Sequence, residues 1–307
     1  MLKKIIFMGT PMFAVPILKK LYQNGYQVSV VYTQPPKKSN RGQQLNISPV
    51  QGISETLGID VRSPSYLNGN QEEINFIKNL NADLAIVVAY GKIIPNEILC
   101  LTKKGFINIH ASILPKFRGP APIQRSIMNL DKKTGISIMK IEEKLDTGPV
   151  CNSYTLDILD NENVISLSER LSILAAEKIL DNIDAITDDK ALFKSQDESK
   201  ATYANKISKP EGKINWHDKA ENIIGKINGI YPNAYFLYNG ERYKILKAKI
   251  SSGVGSPGDV LSDRFEIGCK EGTIKVLEIQ REGKRPQKID EFILGTKIKK
   301  GSSLKDV

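Results

Sequence analysis

The chain has 307 residues, 40% apolar, 25% charged and 7% aromatic, a globular composition that excludes disorder as the main state. At this length one core is near its ceiling of ~250–300 residues, so two domains are expected. The net charge is +10, from 44 Lys and Arg against 34 Asp and Glu, a bias that favours a polyanionic partner.

The amino end, Met1 to Met8, is an apolar run too short for a signal peptide. No run of ~20 apolar residues occurs elsewhere, so a soluble, cytoplasmic chain without a membrane partner is expected. Residues 3–8 stop at Gly9, an amphipathic stretch runs from Met12 to Leu21, and a second apolar run spans Val28 to Thr33. This is strand, helix, strand, the opening of a parallel sheet. The Gly9-Thr10-Pro11 crossover lacks a full GxGxxG, which weakens a dinucleotide reading, and a nucleoside triphosphate P-loop is missing. Residues 34–48 form a basic loop with Pro35, Pro36, Lys37, Lys38 and Arg41. It follows a strand end, where ligands of open α/β sheets sit. Ser48-Pro49 then starts a helix towards Leu57.

Strand-like runs follow at Leu84 to Ala89, closed by Tyr90-Gly91, at Phe106 to His110 and at Ile136 to Ile141. The alternation predicts a Rossmann-like, doubly wound α/β domain with a parallel sheet over residues 1–204. Ser166 to Ile186 is predicted as one helix burying Leu167, Leu171, Leu174, Ile179 and Ile183. Past 205 the texture changes. Pro210-Glu211-Gly212 begins a linker, Ala220 to Ile227 is a short helix, and five or six short strands separated by glycine turns follow. They predict a small, OB-like β-barrel over 205–307. Residues 1–150 carry +9, 151–205 carry −6 and 206–307 carry +7. Two separated basic regions suit a long anion, so the barrel reads as a single-strand or tRNA clamp.

Cys100, Cys151 and Cys269 have no CxxC spacing and no histidine cluster beside them, which predicts a reducing compartment and neither disulfide nor metal. The chemistry concentrates in Asn108 to Pro122. Asn108 and His110 are two apart and share one face of a strand, where a carboxamide and an imidazole can stabilise an oxyanion and move a proton. The competing reading is a satisfied core histidine. Asp146, in the Leu145-Asp146-Thr147-Gly148 turn, either orients that imidazole or closes its own Asx turn. Pro120 to Arg125 reads as a helix start whose amides can hold an anion. Ser112 and Cys151 are nucleophiles by type without G-x-S-x-G or cysteine-protease context, so direct attack by a substrate nucleophile is expected.

The run Asn108-Ile109-His110-Ala111-Ser112-Ile113-Leu114-Pro115, followed by Arg118-Gly119-x-Ala121-Pro122-Ile123-Gln124, resembles the signature of the formyltransferases that use 10-formyltetrahydrofolate. Leu145-Asp146-Thr147-Gly148 resembles their second signature. Four further stretches are similar to the branch that formylates methionyl initiator tRNA. They are Gly9-Thr10-Pro11-Met12-Phe13-Ala14, Thr33-Gln34-Pro35 with Arg41-Gly42, Val88 to Pro95, and Tyr203-Ala204-x-Lys206-Ile207 with Ile214-Asn215-Trp216.

The resemblance implies Asn108, His110 and Asp146 as catalytic residues. It implies a site for 10-formyltetrahydrofolate, the co-substrate, lined by Ser112, Ile113, Leu114 and Pro115 with Tyr90 nearby. It further implies initiator methionyl-tRNA as partner, held at its acceptor stem by Lys37, Lys38 and Arg41, with no metal; a monomer is the default. Two departures stand out: Gln43-Gln44 replaces a common basic pair, and Tyr231-Pro232-Asn233-Ala234 lacks the second proline of an expected Pro-x-Pro. Sister enzymes acting on an amino sugar nucleotide or glycinamide ribonucleotide would share the triad. The Thr33-Gln34-Pro35 loop and the basic second domain separate them from this chain.

Overall fold

A computed structural model describes residues 3–39 and 44–304. Two compact units form, one from Met1–Gly119, Gly135–Leu156 and Ser168–Tyr203, the other from Pro120–Thr134, Asp157–Leu167 and Ala204–Val307.

The first unit opens with β1 (Lys4–Gly9), α1 (Val15–Gln23), β2 (Gln27–Tyr32), a small hairpin of β3 (Lys37–Ser39) and β4 (Gln44–Asn46), α2 (Pro49–Thr56) and β5 (Val61–Arg62). It continues through α3 (Gln71–Leu80), β6 (Leu84–Val88), α4 (Asn96–Leu99) and β7 (Phe106–His110). After α5 (Pro122–Met128) come β8 (Lys133–Lys140), β9 (Val150–Asp157) and α6 (Val164–Thr187). The main sheet has the order β5-β2-β1-β6-β7-β8-β9. Every residue of β6 and all but the first of β1 are buried, as in parallel strands covered on both faces. Pairing is parallel from β5 through β7. The carboxyl ends of β2, β1, β6 and β7 therefore fall on one edge, where an open sheet carries its site.

The parallel pairing stops at β7. β8 runs antiparallel to it, with Asn108 opposite Met139 and His110 opposite Ser137. A parallel return needs a crossover that carries the chain back across the sheet. The helix in this connection, α5, belongs to the second unit and packs there on α7 (Ala220–Gly229). Gly225 and Gly229 lie four apart on one helix face and let the backbones approach; a Cβ at Gly229 would sit 2.8 Å from the Gln124 carbonyl oxygen.

The segment read as a loop over 34–48 contains the β3–β4 hairpin, with Lys37 opposite Asn46; Arg41 and Gln43 lie outside the described residues. The Ser48 hydroxyl caps α2 by accepting from Gln51 N at 2.9 Å, as the Ser-Pro pair predicts.

The second unit adds β10 (Tyr235–Tyr238), β11 (Glu241–Ser251), β12 (Glu266–Gly268), β13 (Thr273–Arg281), β14 (Gln287–Lys288) and α8 (Ile289–Gly295). Its antiparallel sheet runs β10-β11-β13-β12, with β14 also on β13. Phe236 stacks on Tyr243 at 5.4 Å between ring centroids, and Phe292 meets Tyr243 and Phe265 edge-on. Among the described residues no helix is long and apolar enough to cross a membrane.

Within this unit Arg125 donates to Glu211 at 2.8 Å and to the Asn205 carbonyl. The Arg125 bond, then the Ser208 amide, holds the Glu211 carboxyl at about 2, below its ordinary 4.5. A depressed carboxyl stabilises the folded state fully above its unfolded value, and the contribution disappears as pH falls through its folded value. Glu211→Gln should therefore melt below wild type at pH 6, and the gap should close as pH falls from about 4.5 towards 2. A pH-independent gap in thermal melts would refute the assignment.

Candidate active site

Left-handed backbone at residues other than glycine occurs at Ala89 (φ 47°) after β6, at Phe117 (φ 59°) after β7 and at Asp146 (φ 52°) in the connection between β8 and β9. Such conformations cost on the order of 1–3 kcal/mol each and cluster where function over-determines the backbone. All three flank the signature residues.

Period-2 geometry on β7 brings Asn108 and His110 to one face, and the turn after β8 brings Asp146 to both. Asn108 Nδ2 lies 3.4 Å from Asp146 Oδ1, and His110 Nδ1 lies 3.6 Å from Asp146 Oδ2. The Gly119 amide donates to Asp146 Oδ2 at 2.8 Å. The carboxylate thus reaches across to another loop instead of closing its own Asx turn. His110 is buried, with Nε2 2.8 Å from the Phe117 carbonyl oxygen. A carbonyl only accepts, so Nε2 carries its hydrogen and Nδ1 is the edge turned to the carboxylate. One ring nitrogen is satisfied, as in a core histidine, and the other is not. At 3.4–3.6 Å the two contacts to Asp146 are longer than good hydrogen bonds, so the Asn108 amide and the imidazole keep capacity for a substrate oxygen.

The other predicted residues divide. Ser112 is fully buried and donates to the Lys116 carbonyl at 2.5 Å, so its hydroxyl shapes the loop and is not presented as a nucleophile. The Leu114 amide donates to Ser137 Oγ at 3.0 Å, and the same hydroxyl donates to the Ser112 carbonyl. This pins Ser112, Ile113 and Leu114 against β8, ahead of a cis peptide at Pro115. The Tyr90 ring packs in the core with Tyr32 and Met8, and burial pushes its phenol up. What Tyr90 offers the edge is its carbonyl, which accepts from Thr10 Oγ1 at 2.9 Å and Gln34 Nε2 at 3.1 Å, tying the ends of β1, β2 and β6 together. Burial also raises the Cys151 thiol, which argues against an activated thiolate.

Lys37 donates to Gln34 Oε1 at 2.7 Å. α5 is seven residues long and opens on Pro122, which has no amide hydrogen, and its Arg125 is engaged by Glu211 and Asn205.

Sequence reasoning gave no role to Arg118 and did not single out Gln196. Arg118 is fully buried. It donates to Gln196 Oε1 from Nε and Nη2 at 3.0 and 2.9 Å, and to Glu198 from Nη1 and Nη2 at 2.9 and 2.7 Å. Its bond to the Glu198 carboxylate holds the guanidinium above its ordinary range and is the largest influence lowering Glu198. Gln196 in turn donates to the carbonyls of Asp146 and Gly148. Pairings across 50 and 78 residues leave no spacing signal.

The family model described as "Formyl transferase" matches residues 3–183, and "Formyl transferase, C-terminal domain" matches 206–297. A methionyl-tRNA formyltransferase of Pelagibacter ubique is 59% identical over 310 residues, covering 100% of both chains. One from Caldanaerobacter subterraneus is 39% identical over 98% of this chain and 100% of its own. Among solved structures, an N-formyltransferase from Helicobacter canadensis in complex with folinic acid and dTDP-3-aminofucose superposes with TM-score 0.68 at 21% identity, over 92% of this chain and 100% of its own. HypX from Aquifex aeolicus in complex with tetrahydrofolic acid gives 0.65 at 17%, over 96% of this chain and 48% of its own. At those identities the structures speak to fold alone.

Proposed function

The chain belongs to the formyl transferase family, and from that premise we propose that it transfers the formyl group of 10-formyltetrahydrofolate to the α-amine of methionyl initiator tRNA in the cytoplasm. Full-length identity of 59% to a relative of that name carries the substrate assignment. Asn108, His110 and Asp146 gathered at one edge carry the chemistry.

The residues fit a folate-type donor. Ile93 after β6 and Leu145 before Asp146 are 89% and 63% exposed, and in this reading they offer apolar surface to the flat ring system of the donor. The donor, when bound, supplies a formyl carbon attached to a nitrogen that can leave. Asn108 Nδ2 and a His110 protonated on both ring nitrogens, through its Nδ1–H, donate to the formyl oxygen as the amine attacks and charge collects there. Donors placed in this way are worth about 2.7–4 kcal/mol each in the transition state. Asp146, beside the Nδ1 edge, stabilises the imidazolium by its charge and helps move the amine proton towards the leaving nitrogen. The signature loop and the Asp146 turn fix these groups in place, which is where most of the protein's contribution lies.

Purified protein should formylate charged initiator tRNA with 10-formyltetrahydrofolate and leave elongator methionyl-tRNA largely unreacted. Folate turnover on amino sugar nucleotides with none on tRNA would move the chain to the sister branch.

Lys37, Lys38 and Arg41 bind acceptor-stem phosphates in this reading, and the basic second unit binds others. Each phosphate contact contributes about 0.7–0.9 to the slope of log affinity against log salt, through released counterions. The Lys37/Lys38/Arg41 triple alanine variant should flatten that slope by roughly 2–3 while formylation at saturating tRNA stays near wild type. An unchanged slope removes the hairpin from the interface.

A further inference from the structure

We propose that Gln196 is a positioning residue that fixes the Asp146 turn, and with it the approach of Asp146 to His110. The inference rests on the catalytic reading of Asp146 given above.

The turn has few other anchors. Residues 142–145 are exposed, and Leu145, its one large apolar side chain, is 63% exposed and gives it no hold in a core. Thr147 bonds within the turn, to the Lys144 carbonyl. Asp146 sits at φ 52°, a conformation that an unheld segment would leave readily. Gly148 packs so close to β8 that a Cβ would fall 2.0 Å from the Lys140 carbonyl oxygen, which fixes the end of the turn and not its middle.

The Gln196 amide supplies the missing hold. Nε2 donates to the Asp146 carbonyl at 2.9 Å and to the Gly148 carbonyl at 2.8 Å, while Oε1 accepts twice from Arg118. Both amide hydrogens and both carbonyl lone pairs are used. Flipping the amide would set its NH2 against guanidinium donors and its oxygen against two carbonyls, so the buried arginine dictates which end faces the turn. Lys194, two residues away, exchanges both backbone bonds with Val150 at 2.8 and 2.9 Å, so the clamp is anchored to the strand that leaves the turn. Arg118 is the residue before Gly119, whose amide holds the Asp146 carboxylate. Main chain and side chain of Asp146 are thus positioned from one short stretch, Arg118-Gly119, the first through Gln196 and the second directly.

Gln196→Glu separates the two halves of the clamp. A carboxylate still accepts from Arg118 but presents oxygen to the two turn carbonyls in place of N–H. The expected result is a melting temperature near wild type and a kcat about ten- to a hundredfold lower, the scale set by an ångström-level misplacement of a catalytic group. KM for tRNA should change little, and the pH dependence of kcat should shift, because the Asp146–His110 spacing changes. If Q196E does not fold, Gln196→Ala is read the same way, with kcat normalised to folded protein. A purely structural role for Gln196 lowers the folded fraction and leaves the normalised kcat and its pH profile unmoved; that outcome overturns the proposal. Asp146→Asn, which tolerates the same left-handed backbone, is measured alongside. Impaired D146N with fully active Q196E defeats the clamp alone. Fully active D146N defeats the catalytic reading beneath it.

Discussion

His110→Ala lowers kcat for formyl transfer by about 10²–10³, the loss of one preorganised donor to a developing oxyanion, and by up to about 10⁴ if the lost proton movement adds to it. Affinity for tRNA should stay close to wild type, because His110 is buried at the sheet edge and is not among the residues proposed to hold phosphates. A stability loss has to be separated from this effect. The Phe117 carbonyl, 2.8 Å from Nε2, loses its partner in the variant, and an orphaned buried acceptor costs about 1–3 kcal/mol. Rates are therefore compared per folded molecule, with melts of both proteins at the assay temperature. Turnover within a factor of two or so of wild type, set against the two to three decades expected from a lost donor, would sink the role of His110. Asn108→Ala should fall by a similar factor without the stability loss, because its contact to Asp146 is long at 3.4 Å.

What the sequence carried, and what it did not, follows from how far each relation reaches along the chain. Asn108 and His110 were legible as a pair because strand periodicity acts over two residues. Ser48 was legible as a cap because Ser-Pro before an apolar stretch is a local signal, and α6 because its buried stripe repeats over twenty residues. The direction of β8 was not: the helix that precedes it, α5, packs on α7 about a hundred residues later, a contact that no local pattern announces. Tyr90 was placed near the folate by the resemblance alone. Its place in the core is decided by χ angles that no neighbour in the sequence specifies. Asp146 entered through the resemblance and the turn chemistry of its neighbours. The two residues that hold its turn from outside, Arg118 and Gln196, meet only in three dimensions.

Removing the acceptors around Arg118 should destabilise the first unit more than removing Arg118 itself. The guanidinium is fully buried, whereas the Glu198 side chain is 70% exposed. Arg118→Met returns Glu198 to water at small cost and leaves Gln196 Oε1 without its donors, a loss of about 1–3 kcal/mol. It also relieves the interior of a charge whose desolvation opposes folding. The Gln196→Ala/Glu198→Ala double variant does the reverse. It strands the cation in the interior with the Tyr203 hydroxyl in place of a carboxylate and a carboxamide oxygen. Leaving a buried charge without its acceptors is the costlier of the two losses. Denaturation should therefore rank wild type above R118M and R118M above the double variant, and added salt should not reverse the order, since a buried charge is poorly screened. Equal stability of the two variants would mean that water reaches the guanidinium. Activity should follow a different order. R118M leaves the Gln196 amide present but unoriented, so it should transfer formyl groups more slowly than Glu198→Ala alone, in which both Gln196 bonds to the turn survive.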